Sequence, residues 1–371
     1  MRRLNTGRPS MSSIGPYFSL TKPRVVVLLQ ITALCSVLAH DQLGGGVESD
    51  SMRTMLVVFV GGYLSAGGAN AINMWYDRDI DPLMSRTKNR PVPSGEVTAE
   101  AALAFGVALS VLGVYWFWEL ANPVAAVWSA FSILFYVFVY SIWLKRSTPQ
   151  NIVIGGIAGS TPPVIGWAAA EDGLTIATDS VAVVLESLLD LGSLMPWFMF
   201  LLIFLWTPPH FWALALYRSE EYGEVGIPMM PNVKGAERTL REMKVYAALL
   251  IALSVTAPMS YGGIEEGDSI YHVLGWTCVG LSIWYASTVW RVDLDEQRDP
   301  TGRLPTAARS FFVSMLYLAL MFIVLVTASF GILGAGFGAA LSVAAVVRSE
   351  SRARAGQPDG FKHRLHHRAA S

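Results

Sequence analysis

Residues 54–81 read TMLVVFVGGYLSAGGANAINMWYDRDID. Residues 54–76 carry no charged side chain, and the next five residues bring three carboxylates. Roughly 20 mostly apolar residues suffice for a helix to cross the hydrocarbon core of a bilayer. An uncharged stretch of that length, turning abruptly acidic, reads as a membrane helix with its chemistry at one mouth.

The rest of the chain agrees with that solvent. Charged residues make up 15% of 371 positions against about 25% in soluble proteins, while apolar types reach 53% and the mean hydropathy is +0.44. A chain this apolar could not cover a water-facing surface, which excludes a soluble enzyme or adaptor. A net charge of −1 gives no footprint for nucleic acid. Cys35 and Cys278 both lie in apolar runs, so neither a disulfide framework nor a zinc cluster is indicated. Residues 1–15 hold Arg2, Arg3 and Arg8 without an acid. They read as a basic tail before a first span, with a short mitochondrial presequence as the alternative.

Apolar runs of spanning length occur at about 24–39, 54–76, 101–118, 124–144, 151–170, 195–217, 245–262, 270–290 and 311–334. Thr98, Thr148-Pro149 and Thr306 supply helix-start signals for three of them. The expected fold is all-α, a polytopic membrane bundle of about nine helices. Residues 1–15 form a tail, 16–335 the membrane domain, and 336–371 a C-terminal extension. Within that extension, 336–347 reads equally as a short tenth crossing or a surface helix.

Charge segregates between alternate connections. Arg78, Arg86, Lys88, Arg90, Lys145, Arg146, Arg218, Lys234, Arg238, Arg241, Lys244, Arg291, Arg298, Arg303 and Arg309 share one side. The other side is acidic, with Arg53 its only basic residue. Basic loops face the cytoplasm, or the matrix in an organelle.

At the basic side, Asn73, Asp77 and Asp81 are spaced by four, which stacks them as one slightly drifting stripe if the helix runs to Asp81 before Pro82. Carboxylates at a bundle mouth are costly unless they bind something. Mg²⁺ suits them, taking one or two carboxylates together with substrate phosphates. Arg86, Lys88 and Arg90 follow, cations that fit phosphate oxygens as well as membrane anchoring. Lys145 and Arg146 offer the same pair of readings. In LWTPPHFWALALYRSEEYGEVGIPMMP, Pro208 and Pro209 are expected to interrupt helix hydrogen bonding just before His210. His210 then serves a bound molecule or a freed carbonyl. Glu220 and Glu221 reach the face of Asp77 and Asp81 and are candidates for a second metal site. Gly155, Gly156 and Gly159 are spaced for close helix contact.

These stretches resemble the UbiA superfamily of intramembrane prenyltransferases, in particular its haem-farnesylating branch. The superfamily's first acidic motif, N-D-x-x-D-x-x-x-D, maps its Asn onto Asn73 and its later acids onto Asp77 and Asp81, with Met74 in place of its first acid. Residues 73–91, 144–156, 206–214 and 226–231 follow the branch's own pattern, which commonly has Asp-Tyr where this chain has Glu221-Tyr222. The resemblance spans about residues 17–334.

It implies a helical ring around a lipid-accessible central cavity, Mg²⁺ as cofactor, farnesyl diphosphate as donor and haem b as acceptor. It also implies a bacterial inner or mitochondrial inner membrane location and haem A synthase as a prospective partner. The implied site is Asp77, Asp81, Arg86 and Lys145 for catalysis, with Glu220 and Glu221 joining the acids on metal. Asn73, Arg90, Arg146, His210 and Tyr222 would hold ligands. A quinone-precursor or chlorophyllide acceptor, and a cation-coupled transporter, are the competing expectations.

Overall fold

The computed structural model describes residues 14–84, 87–217, 227–262, 265, 267–299 and 303–355. Among these residues there is no β-strand. A short α1 (Ile14–Leu20) leads into α2 (Pro23–Leu43) and α3 (Ser49–Tyr76). Then come α4 (Ala99–Leu120) and α5 (Pro123–Leu134), the latter prolonged by π-helical turns over Phe135–Leu144. The chain continues with α6 (Asn151–Ser160), α7 (Pro162–Ala170), α8 (Val181–Leu189) and α9 (Met195–Tyr217). It closes with α10 (Met230–Lys234), α11 (Ala236–Val255), α12 (Ser269–Trp290), α13 (Pro305–Ala328) and α14 (Gly331–Arg354).

Among the described residues eight stretches are long and apolar enough to cross a membrane, counting α5 with its π extension, and α6 with α7, as one each. This is an integral membrane protein. Two further helices, α11 and α12, run 20 and 22 residues. The first turns of α11 carry Glu237, Arg238, Arg241, Glu242 and Lys244, which is why its apolar part begins only near residue 245.

Local chemistry sets the boundaries. Thr98 caps α4 by accepting the Ala101 N–H at 3.2 Å. Asn122 caps α5 by accepting from Ala125 at 2.9 Å, and its amide donates to Ala168 O on α7 at 2.5 Å. Thr306 lies inside α13 rather than ahead of it. Pro162 and Pro163 split the 151–170 run in two. The carbonyl of Ala158 that the Pro162 ring leaves unpaired accepts from Thr161 Oγ1 at 2.8 Å and Ser132 Oγ at 3.2 Å. By contrast α9 runs unbroken through Pro208 and Pro209. Its helical path continues, although neither proline has an N–H to return to the carbonyls of Phe204 and Leu205, so the hydrogen-bond ladder is interrupted as expected without a break in the helix.

The α3–α4 pair is the tightest in the bundle. A Cβ at Gly68 would lie 2.7 Å from Gly106 O and 2.5 Å from Ser110 Oγ, and one at Gly113 would lie 2.4 Å from Ser65 Oγ. Lipid offers no hydrophobic drive for helices to associate, so small residues that let backbones touch do that work.

The structure adds a tenth long helix to the nine expected runs. The 335/336 boundary falls inside α14, which packs along α12 and α13. Near its end Glu350 accepts from Trp284 Nε1 at 2.9 Å, Arg309 at 2.8 Å and Arg291 at 3.3 Å. These partners belong to the end of α12 and the start of α13, so α14 returns to the basic side and carries Arg348, Arg352 and Arg354 with it. At the opposite end His40 joins Asp41 at 2.8 Å and Glu171 at 2.9 Å.

Gly68→Leu should collapse the yield of monodisperse protein in detergent, because overpacking against backbone costs about 1–3 kcal/mol or more. Gly336→Leu, at a position with nothing within 4 Å, should leave the gel-filtration profile unchanged.

Candidate active site

The α-helical part of α3 ends at Tyr76, six residues before Pro82. Two 3₁₀ turns follow, Asp77–Asp79 and Asp81–Leu83. The single stripe expected to reach Asp81 therefore holds only as far as Asp77. Asn73 Nδ2 donates to Asp77 Oδ2 at 3.0 Å. Asp81 is turned into the following loop, where one Arg90 nitrogen reaches both its oxygens at 2.9 and 2.8 Å. Asp77 and Asp81 are buried at 0% and 2% exposure, whereas Asp79 is exposed.

The cations come from two other parts of the chain. The π turns place Lys145 N–H on Tyr140 O at 2.8 Å, a spacing of five. That widening swings the Lys145 side chain onto Asp77, where Nζ donates to Oδ2. Ser141 in the same turns accepts from Asn73 Nδ2 at 3.0 Å. Arg146 makes a two-pronged pair with Asp79 at 2.6 and 2.7 Å, lies over the Tyr76 ring, and stands 3.6 Å from Asp77 Oδ1. Arg78 folds back over Trp75 instead, and Lys88 is exposed.

The contribution that sequence reasoning missed is Lys22. Its Nζ donates to Asn73 Oδ1 at 2.7 Å, completing an amide whose two protons go to Asp77 and Ser141. Among the described residues Lys22 is the one non-glycine with positive φ, at 51°. Such a conformation costs about 1–3 kcal/mol and persists where surrounding structure over-determines it. Removal from water, then the nearby Arg90 and Lys145, push the Lys22 ammonium down to about 7. The available signal was a Lys-Pro pair directly ahead of the first span.

Asp77 Oδ1 is buried without a hydrogen-bond partner. An orphaned carboxylate oxygen at a mouth lined by Lys22, Arg90, Lys145 and Arg146 suits a hard cation bound together with a polyanion. Arg86, Glu220, Glu221 and Tyr222 lie outside the described residues, and among those described no three His, Cys, Asp or Glu side chains are grouped to hold a metal. Pro228 lies at this end, accepting from Asn151 at the start of α6 at 3.5 Å.

His210 is buried on α9 and makes no direct contact with the acids. Its ring stacks on Trp206 at 4.1 Å and Phe311 at 4.7 Å, and Nδ1 meets Ser314 Oγ at 2.6 Å. Tyr136 and Tyr140 stack at 5.3 Å, and the Tyr136 hydroxyl donates at 3.5 Å to Asn70 Oδ1, one turn below Asn73. Of the three glycines expected at close helix contacts, Gly155 meets Tyr140 and Gly156 meets Thr207, while Gly159 has nothing within 4 Å.

The geometry can be set beside known proteins. The chain is 42% identical over 334 residues to "Protoheme IX farnesyltransferase" of Parvibaculum lavamentivorans, covering 89% of this chain and 94% of the relative. A solved digeranylgeranylglyceryl phosphate synthase superposes with a TM-score of 0.64 at 16% identity, covering 87% of this chain and all of that one. A UbiA homolog from Archaeoglobus fulgidus bound to DMAPP and Mg²⁺ superposes with a TM-score of 0.53 at 17% identity, covering 84% of this chain and 98% of that one. The family model for UbiA prenyltransferases matches residues 31–316, which hold the acids of α3's end and His210 alike; the chain belongs to the UbiA prenyltransferase family.

Proposed function

We propose that this membrane prenyltransferase cleaves farnesyl diphosphate with Mg²⁺ and transfers the farnesyl group to a vinyl carbon of haem b, yielding haem O. The observation that carries the reading is Asp77, buried, with one oxygen clamped by Asn73 and Lys145 and the other without a hydrogen-bond partner, Arg146 standing 3.6 Å away. The kinship to protoheme IX farnesyltransferases supports the donor and acceptor, and the metal-bound UbiA homolog supports Mg²⁺.

Asp77 and Asp81 would hold the ion, joined by Glu221 and Glu220. A bound Mg²⁺ would neutralise charge on the diphosphate. Lys22, Arg86, Arg90, Lys145 and Arg146 bind the same group, and their charge meets the negative charge that develops on the leaving oxygen. The allylic C–O bond breaks with both electrons going to the diphosphate. The haem vinyl group then supplies the electrons of the new C–C bond, and water adds to the resulting cation with loss of a proton. Tyr222 and His210 are assigned to ligand binding. The basic face, and with it the site, looks into the cytoplasm of a bacterial cell. Haem A synthase is the partner class that would take the product.

Incubation of purified protein with haem b, farnesyl diphosphate and Mg²⁺, followed by mass analysis of extracted haem, should show one farnesyl group and one hydroxyl group added. Prenylation of a quinone-precursor ring with haem left unchanged would overturn the acceptor assignment. Asp77→Asn should lose 10²–10³-fold or more in turnover, roughly the scale for removing one transition-state contact, while remaining folded and inserted. Lys22→Met should weaken diphosphate binding about ten- to a hundredfold, since a hydrogen bond to a charged group contributes roughly 1.5–3 kcal/mol. Unchanged binding by this variant, measured by titration calorimetry, would leave Lys22 a purely structural residue.

A further inference from the structure

His210 sits where a membrane helix rarely carries a polar ring. It lies three residues nearer the basic mouth than Thr207, and Thr207 packs on Gly156 of α6. A helix advances 1.5 Å per residue, so His210 stands about level with Val153 in the first turn of α6, beneath the Lys145–Arg146 corner. Its surroundings are apolar and aromatic. Trp206 covers one face and Phe311 the other, with interplanar angles of 21° and 26°. The ring can then present only its edges.

One edge is settled by hydrogen positions. Ser314 Oγ lies 2.6 Å from His210 Nδ1 and also 2.6 Å from Phe311 O. A hydroxyl has a single proton. If that proton went to Nδ1, Ser314 Oγ and the Phe311 carbonyl oxygen would face each other at 2.6 Å with nothing between them, a repulsive contact. If the hydroxyl donates to Phe311 O, its lone pair faces Nδ1, and Nδ1 must carry a hydrogen to donate. Only the second arrangement satisfies both short contacts. Trp206 Nε1 also donates to Ser314 O at 2.8 Å, which pins the same turn of α13 against α9. The neutral imidazole is therefore the Nδ1–H tautomer, with the lone pair on Nε2. Among the described residues Nε2 has no hydrogen-bond partner, and His210 keeps 7% of its surface open.

We propose that Ser314 is a positioning residue that fixes His210 as the Nδ1–H tautomer, so that Nε2 ligates the iron of the haem acceptor. The inference rests on the haem reading above and assigns how the acceptor is held. A neutral imidazole donating its other N–H to a fixed acceptor is the usual state of an iron-bound histidine. No proton has to leave when the bond forms, because Nε2 is already unprotonated. Iron ligation at this depth fixes one point of the macrocycle beneath the charged mouth.

The experiment titrates haem b into purified wild type, His210→Gly, Ser314→Ala and Ser314→Thr, reading affinity, the Soret band and the iron–histidine stretch by resonance Raman. Wild type and Ser314→Thr should share one axial-histidine signature. His210→Gly should lose it and regain it on addition of free imidazole. Ser314→Ala should keep a histidine ligand but shift the iron–histidine stretch, and bind haem roughly ten- to a hundredfold more weakly, the usual cost of losing such an outer partner. An unchanged spectrum in His210→Gly would overturn the ligand assignment while leaving haem binding intact. An unchanged stretch and affinity in Ser314→Ala would overturn the role of Ser314. Wild type that binds no haem at all would remove the acceptor reading itself, and this inference with it.

Discussion

A fully buried carboxylate at the mouth of a membrane bundle is the constraint around which this molecule is arranged. Asp77 has no exposed surface, and leaving such a charge unpaired in a low-dielectric site costs several kcal/mol. The chain brings Lys145 to one of its oxygens and uses the Asn73 amide to orient that same oxygen. Asn73 in turn is held by Lys22 and Ser141. Residues from the joint before α2, from α3 and from the end of α5 thus share one amide as their common node. The node itself depends on α3 being held rigidly, which the backbone contact at Gly68 and Gly113 supplies.

Three departures from regular α-helix converge on this node. Lys22 adopts a left-handed conformation, Asp77–Leu83 forms 3₁₀ turns, and Phe135–Leu144 widens into π turns. Each re-aims a charged side chain that ideal geometry would point elsewhere. A regular helix through residue 81 would keep Asp81 on the Asn73 stripe, away from Arg90. A regular α5 would rotate Lys145 by most of 100° relative to its observed heading. Local strain concentrated at one place, while the rest of the bundle stays regular, is the pattern expected where binding geometry outweighs intrinsic preference.

This division explains what the sequence made legible. Hydropathy placed the nine expected runs on helical chain, with 151–170 divided between two helices and 245–262 and 311–334 overrunning the ends of α11 and α13, because the requirement for internally satisfied backbone in lipid leaves few alternatives. The residue types at the site were readable too, since Asn73, Asp77, Arg90, Lys145 and Arg146 sit at the ends of apolar runs, where charge stands out. Their pairing was not readable. That Arg90 engages Asp81 and Lys145 engages Asp77 depends on turns whose hydrogen-bond pattern has no periodic signature. Lys22 escaped because a single lysine before a first span looks like an anchor. The tenth helix stayed ambiguous because GILGAGFGAALSVAAVV is rich in small residues, which give little hydropathy contrast, and because the clasp that reveals its direction, Glu350 with Trp284, Arg291 and Arg309, is tertiary.

The charged and aromatic layers also answer opposite demands of a single transfer. In the proposed reaction a departing diphosphate would be stabilised by Lys22, Lys145, Arg90 and Arg146, yet the same cations would raise the energy of an allylic carbocation formed among them. Placing the cations at the mouth and the Tyr136 ring against Asn70, a turn below Asn73, would separate the two charges as they develop, with stacked ring faces suited to the positive one. The neutral stack of Trp206, His210 and Phe311 extends the uncharged layer on the α9 side. A macrocycle fixed there would be apolar on both faces and would help exclude water from the cation until the new C–C bond is made. In that arrangement the depth at which each residue sits in the bilayer, as much as its identity, determines what it can do.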